Sequence, residues 1–225
     1  MPMVAAVCWL AVLSTDRVAD ARLAVGPSLR REVESAGVRY PPARVYLRAF
    51  KRERLLEVWI ANRSGPFRPL ATYPIAGLSG GLGPKRKEGD LQVPEGYYRI
   101  DAFNPQSRYL LSMRIDYPNR SDRIRGRGKL GGDIYLHGGR ASIGCLAMTD
   151  AVIQRLYLLL KDSPGKRPVH LFPARMDDAG YRALLRRHPE HRVLWAELKK
   201  GYDSFERTRG VPTVTVRKDG SYRVL

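Results

Sequence analysis

Residues 133–150 read DIYLHGGRASIGCLAMTD, and most of what the sequence indicates about this protein is contained in that stretch. A strand-like run delivers His137, a glycine-containing loop follows, and Cys145 stands between small residues shortly before a helix begins. Cys145 is the one cysteine outside the extreme N-terminus, since the other is Cys8. This order of parts is typical of an enzyme that uses a cysteine nucleophile with a histidine partner.

The chemistry of such a pair depends on removal of the thiol proton. A thiol reacts as its thiolate, and a nearby imidazole such as His137 takes the proton. Gly144 lets a backbone N–H approach a substrate carbonyl and stabilise an oxyanion, while Ser142 either orients Cys145 or donates to the same oxyanion. Arg140 is a candidate to bind a substrate carboxylate. The alternative interpretation is that Cys145 is a buried small apolar residue, His137 a structural histidine and Arg140 a solvated side chain.

The motif resembles the L,D-transpeptidase catalytic domain (YkuD) family, and most closely its YafK-like murein transpeptidase/amidase branch. The resemblance is carried by HG at 137–138 and SIGCLAMTD at 142–150, and upstream by segments at 73–75, 79–85, 88–90 and 94–97. It implies that Cys145 is the nucleophile and His137 the general base. Gly138 is a candidate to orient His137 through its backbone carbonyl, in place of an acidic third residue.

The resemblance also implies a substrate, a peptidoglycan stem peptide whose meso-diaminopimelate carbonyl forms a thioester with Cys145. Lys85 and Tyr73 are candidate substrate-binding residues. The chain departs from the wider family at Ile143, where most members have a second histidine, and at Ala147, where many have an arginine that contacts substrate. These departures favour hydrolysis of the amide between diaminopimelate and the lysine of a murein-bound outer-membrane lipoprotein.

Two alternatives of different kinds stay open. A true L,D-transpeptidase would release D-alanine and make 3-3 crosslinks between stems, or attach a lipoprotein to the wall. A non-catalytic cell-wall-binding module would use its basic surface instead of Cys145. No cofactor and no metal site is expected, because the remaining histidines lack further ligands at suitable spacing.

The balance of charge restricts the partners. The 225 residues carry a formal net charge of +18, which favours an anionic partner or surface. The basic residues are scattered, and the densest group, at 120–129, has no helix-turn-helix, zinc-finger or RNA-binding signature beside it. Nucleic acid is therefore not the expected partner, and a role of the charge in solubility alone is the alternative.

The N-terminus has the pattern of a secretory signal peptide. Its apolar run at 3–13 is too short to span a bilayer, and ADA at 19–21 fits a cleavage site. We therefore expect export to the periplasm or cell envelope. The predicted division of the chain is a signal peptide at 1–21, a leader at 22–43, an L,D-transpeptidase-like catalytic domain at 44–176 and a C-terminal helix–hairpin extension at 177–225.

The hydrophobic patterning predicts a mainly β (α+β) fold, which the resemblance makes an L,D-transpeptidase-type β-sandwich with short helices. Strand-like runs lie at 45–50, 55–60, 70–73, 97–100, 109–115, 134–137 and 169–172, and a hairpin at 211–225. Helical patterns lie at 27–36, after 150 and after 177. The glycine-rich segment 77–96 is predicted to be a long loop forming a wall of the substrate groove, and 118–132 a basic loop.

Overall fold

The computed structural model describes residues 16–225 of the chain. The strands are β1 (Arg44–Phe50), β2 (Leu55–Ala61), β3 (Arg68–Pro74), β4 (Gly96–Ser107), β5 (Leu110–Ile115), β6 (Tyr135–His137), β7 (Leu146–Ala147), β8 (Pro168–Phe172), β9 (Val214–Val216) and β10 (Tyr222–Val224). The helices are α1 (Arg17–Ser35), α2 (Arg120–Arg125), α3 (Asp150–Asp162), α4 (Asp178–Arg187) and α5 (Arg192–Thr208). Each of these helices is too short or too polar to cross a membrane.

Eight of the strands form one mixed sheet in the order β3-β2-β1-β8-β4-β5-β6-β7. The long strand β4 joins the two halves of the sheet, because its first residues pair with β8 and its later residues pair with β5. The two sheet edges meet where Gly77, just after β3, pairs with Ala147 of β7. The sheet therefore curls into a half-barrel, and the predicted β-rich α+β fold class is confirmed.

Helices cover both faces of this sheet, which explains why β1 is buried along almost its whole length. Successive side chains of a strand point to opposite faces. Val45, Leu47 and Ala49 belong to the core that includes α1 and α3, whereas Phe50 belongs to a second core with α5 and the hairpin β9–β10. Arg48 also lies in the interior, where its guanidinium donates to Glu57 and Glu206. The C-terminal extension is thus packed on the sheet.

Helix α1 begins ten residues earlier than the predicted helix at 27–36 and is part of the main core. Asp16 caps it by accepting hydrogen bonds from the N–H groups of Val18 and Ala19. Ala21 is 1% exposed, so the predicted cleavage point follows a buried residue of this helix. The apolar run at 3–13 lies outside the described residues, and the signal peptide stays a prediction.

The segment 118–132 is not loop throughout, because it contains α2. Asn119 accepts from the N–H of Asp122, and the Asp122 carboxylate accepts from the N–H of Asn119, which makes a capping box. The hydroxyl of Tyr98 also donates to Asp122, at 2.9 Å. The high basic content of the segment obscured this local signal.

The glycine-rich segment between β3 and β4 is irregular, as predicted, and buried charges hold it in place. Lys51 Nζ donates to the carbonyl oxygens of Gly83 (2.7 Å) and Val93 (2.9 Å) and pairs with Glu95 (3.0 Å). Glu95 in turn accepts from the indole N–H of Trp195 on α5, at 2.7 Å. The loop is therefore fastened to the end of β1 and to the C-terminal extension.

Candidate active site

The parallel pair β6–β7 places the predicted nucleophile and base on one face of the sheet. Leu136 pairs with Leu146 and His137 with Ala147. Continuing this register by one residue sets Cys145 beside Tyr135. Because side chains alternate between faces, Cys145 and His137 then point to the same side as diagonal neighbours. The short strands β6 and β7 thus explain why the motif needs only a brief loop between the two residues.

A single contact sets the protonation of His137. Its Nδ1 lies 2.6 Å from the carbonyl oxygen of Gly138. A carbonyl oxygen only accepts hydrogen bonds, so Nδ1 carries the proton and Nε2 keeps a free lone pair. Burial lowers the pKa of His137, which keeps the imidazole neutral at neutral pH. A neutral ring with a free Nε2 is the form that a general base requires.

Gly138 is glycine for a steric reason. A Cβ at this position would collide with the carboxylate of Asp150 and with the backbone carbonyl of Tyr109. The N–H of Gly138 donates to that Tyr109 carbonyl, and the N–H of Gly139 donates to Asp150 (2.8 Å). The backbone after His137 is therefore held between the turn at Tyr109 and the start of α3.

The thiol of Cys145 is half-buried, and its surroundings favour the protonated form. Its Sγ donates to the carbonyl oxygen of Asp133 at 3.5 Å, and Asp133 adopts a positive φ of 57°. Burial raises the pKa of the Cys145 thiol; a backbone hydrogen bond from Tyr135 and the charge of Lys85 act in the opposite direction. The proton therefore stays on sulfur at neutral pH.

Ser142 and Gly144 shape the loop that carries Cys145. The hydroxyl of Ser142 donates to the backbone carbonyl of Cys145 at 2.7 Å, so its proton is engaged within the loop and not directed at the thiol. Gly144 has a φ of 117°, a conformation that side-chain-bearing residues rarely adopt. Ser79 of the glycine-rich segment lies 3.4 Å from Ser142, so this segment does line the motif.

The predicted substrate-binding residues lie in three different settings. Arg140 is exposed. Lys85 is buried and pairs with Asp90 at 2.7 Å, close enough to Cys145 for its charge to lower the thiol pKa. Tyr73 lies on β3, where its hydroxyl accepts a hydrogen bond from Arg155 of α3 at 3.1 Å. The contacts of Tyr73 are thus with the helical layer and not with the Cys–His pair.

Tyr109 is a site residue that the sequence did not reveal. Its ring stacks on the imidazole of His137 with centroids 4.4 Å apart and planes 29° apart. It comes from the turn between β4 and β5, far from the motif in sequence. The pairing of β5 with β6 brings the two rings together, and no spacing rule anticipates such a contact.

The protein-family model "L,D-transpeptidase catalytic domain" (YkuD) matches residues 44–171, more than half of the chain. The chain belongs to this family. A protein of Escherichia coli (strain K12) named "Putative L,D-transpeptidase YafK" is 37% identical over 180 residues, which cover 76% of this chain and 70% of that protein. The resemblance of the sequence motif is confirmed.

Solved structures of the helical cell shape determining protein Pgp2 from Campylobacter jejuni share the fold. One aligns with a TM-score of 0.50 at 19% identity and covers 77% of this chain and 72% of that chain. The K307A mutant of the same protein aligns with a TM-score of 0.51 at 21% identity over 86% and 69%. At this level of identity the likeness concerns the L,D-transpeptidase-type fold alone.

Proposed function

We propose that this protein is a peptidoglycan-acting cysteine enzyme that forms a thioester at Cys145 and hydrolyses an amide on meso-diaminopimelate of a stem peptide. The observation that carries the proposal is the 2.6 Å contact between Nδ1 of His137 and the Gly138 carbonyl, which leaves Nε2 as the proton acceptor. The β6–β7 register, extended by one residue, puts Cys145 on the same face as His137. Family membership supports the peptidoglycan substrate. The bond we propose is the amide that joins diaminopimelate to a lipoprotein lysine.

Acylation begins with transfer of the thiol proton to Nε2 of His137. Rotation of the Cys145 side chain takes Sγ–H away from the carbonyl of Asp133, and the resulting thiolate attacks the amide carbonyl. We assign stabilisation of the developing oxyanion to the backbone N–H groups of Gly144 and Cys145. When the tetrahedral intermediate collapses, the C–N bond breaks, the leaving amine takes the proton from His137, and a thioester remains.

Hydrolysis of the thioester repeats this order of proton transfers, with water in place of the thiol. Nε2 of His137 takes a proton from water, the hydroxide formed attacks the thioester carbonyl, and the C–S bond breaks. The thiolate of Cys145 then regains the proton from the imidazolium. The products are the carboxylic acid of diaminopimelate, which loses its proton to solvent to become a carboxylate, and the amine released in the first step, so atoms and charges balance over the cycle.

Two residues support hydrolysis over transpeptidation. Ala147 is fully buried in β7, and a Cβ at neighbouring Gly77 would lie 3.1 Å from the Ala147 Cβ. Because Ala147 has no exposed surface, the arginine that many family members have at this position would have to displace its neighbours here. Ile143 is 81% exposed beside the nucleophile. The groove therefore offers an acceptor stem fewer polar contacts than the family motif implies.

The experiment is a digestion with two substrates, read by mass spectrometry. Diaminopimelate tetrapeptide muropeptides test transpeptidation, and sacculi that carry bound lipoprotein test amide hydrolysis. We expect freed lipoprotein and an intact stem tripeptide, with complete loss of product in Cys145→Ala. Cys8→Ala, made in a chain that keeps residues 1–21, is the matched control and should keep full activity.

Other outcomes point to the alternatives. Diaminopimelate-to-diaminopimelate crosslinks with release of D-alanine would show a transpeptidase, which is the second candidate function because the family model bears that name. Absence of any Cys145-dependent product from both substrates would overturn the proposal and favour a non-catalytic wall-binding module. The proposed substrate also requires export to the cell envelope.

A further inference from the structure

The aromatic ring of Tyr109 covers one face of the His137 imidazole. Tyr109 is 45% exposed, whereas His137 is 4% exposed, so the phenol ring stands between the imidazole and solvent. Large aromatic side chains usually stabilise a protein by their own burial. Tyr109 instead shields a neighbour while remaining open to solvent.

The backbone around Tyr109 fixes the place of its ring. Its N–H donates to Ser107 Oγ at 3.1 Å, and its carbonyl oxygen accepts from the N–H of Gly138 at 3.1 Å. Arg17 of α1 donates to the carbonyl oxygens on both sides of the turn, those of Ser107 (2.6 Å) and Leu110 (3.0 Å). The turn between β4 and β5 is therefore tied to α1 and to the residue that follows the base.

We propose that Tyr109 is a positioning residue for the base, whose ring holds the His137 imidazole with Nδ1 on the Gly138 carbonyl and excludes water from one ring face. This inference rests on the proposed role of His137 as the base. With one edge held by Gly138 and one face held by Tyr109, the ring keeps a fixed orientation, and the edge that carries Nε2 is left to accept a proton. The hydroxyl of Tyr109 has no part in this arrangement, so the aromatic ring is sufficient.

The charged groups near His137 do not account for its neutral state. Asp150 at the start of α3 accepts from the N–H of Gly139, Arg108 neighbours Tyr109 in the turn, and Arg17 is engaged by the turn carbonyls. Cys145 is an uncharged thiol in this structure. Exclusion of water remains the main cause, because burial is what lowers the pKa of His137. Removal of the ring should therefore let the imidazole protonate at higher pH.

The experiment is an NMR titration of the His137 imidazole in the full chain, with the signal assigned by its loss in His137→Gln. We expect Tyr109→Ala to raise the pKa of His137 by roughly half a unit or more and to move the acidic limb of the activity profile to higher pH. Tyr109→Phe should titrate and react like the wild type. Tyr109→Leu keeps apolar volume without a flat ring and should shift in the same direction as Tyr109→Ala.

Leu225→Ala removes another exposed apolar side chain, 63% exposed, and should leave the titration unchanged. An unchanged titration in both Tyr109→Ala and Tyr109→Leu would overturn the proposal, and so would a shift in Tyr109→Phe as large as in Tyr109→Ala. The titration needs no turnover, so a failure of the proposed hydrolysis would leave this result readable by itself.

Discussion

The surroundings of Cys145 favour a thiol in the resting state, and its reactivity with a simple alkylating agent should show this directly. Burial raises the pKa of Cys145 and lowers that of His137, so both environments oppose a thiolate–imidazolium pair. Below the thiol pKa, the thiolate fraction rises about tenfold for each pH unit. We expect the iodoacetamide rate at Cys145 to increase steadily with pH and to be still rising at pH about 8.5, the ordinary thiol pKa.

Mass spectrometry of the peptide that contains Cys145 separates its alkylation from that of Cys8. The pH dependence should persist in His137→Gln, because the resting thiol is not paired with the imidazole. A rate plateau between pH 6 and 8 that disappears in His137→Gln would instead demonstrate a preformed ion pair and contradict this prediction.

At the scale of elements, the junction between β3 and β7 closes the half-barrel and depends on Gly77. A Cβ at this position would collide with the backbone carbonyl of Arg140, and backbone cannot move aside as a flexible side chain does. We expect Gly77→Ala to lower the free energy of unfolding by about 1–3 kcal/mol, the range for overpacked sites. Urea unfolding followed by circular dichroism measures the change.

Gly81 provides a control within the same glycine-rich segment. No atom lies within 4 Å of a Cβ built on it, so Gly81→Ala should change the free energy of unfolding by less than about 0.5 kcal/mol. Equal effects of the two substitutions would mean that the junction is not a steric constraint. The junction also holds the loop at 142–145 close to Ser79. Displacement of that loop in Gly77→Ala should therefore also slow the alkylation of Cys145.

The elements that the sequence predicted are those with a periodic apolar pattern of their own. Strand β1 and helix α3 were visible in this way, and the motif identified Cys145 and His137 because their chemistry is bound to a fixed local spacing. Helix α2 and the stacking of Tyr109 were missed for different reasons. Helix α2 is short and polar and relies on one capping box, whereas Tyr109 meets His137 only through the pairing of β5 with β6.

At the scale of the whole molecule, one buried ion pair joins three regions, and its loss should destabilise all three. Glu95 has a fully buried carboxylate that pairs with Lys51 and accepts from the indole of Trp195, so the end of β1, the glycine-rich segment and α5 share it. Removing one member of a buried pair leaves an uncompensated charge, and we expect Glu95→Ala to destabilise the fold by about 3–5 kcal/mol.

Asp101→Ala breaks a solvent-exposed pair with Arg114 and should cost at most about 1 kcal/mol. Thermal and urea unfolding compare the two variants. Similar losses would show that the glycine-rich segment does not depend on the C-terminal extension. A large loss only in Glu95→Ala would mean that the extension and the main sheet fold as one cooperative unit.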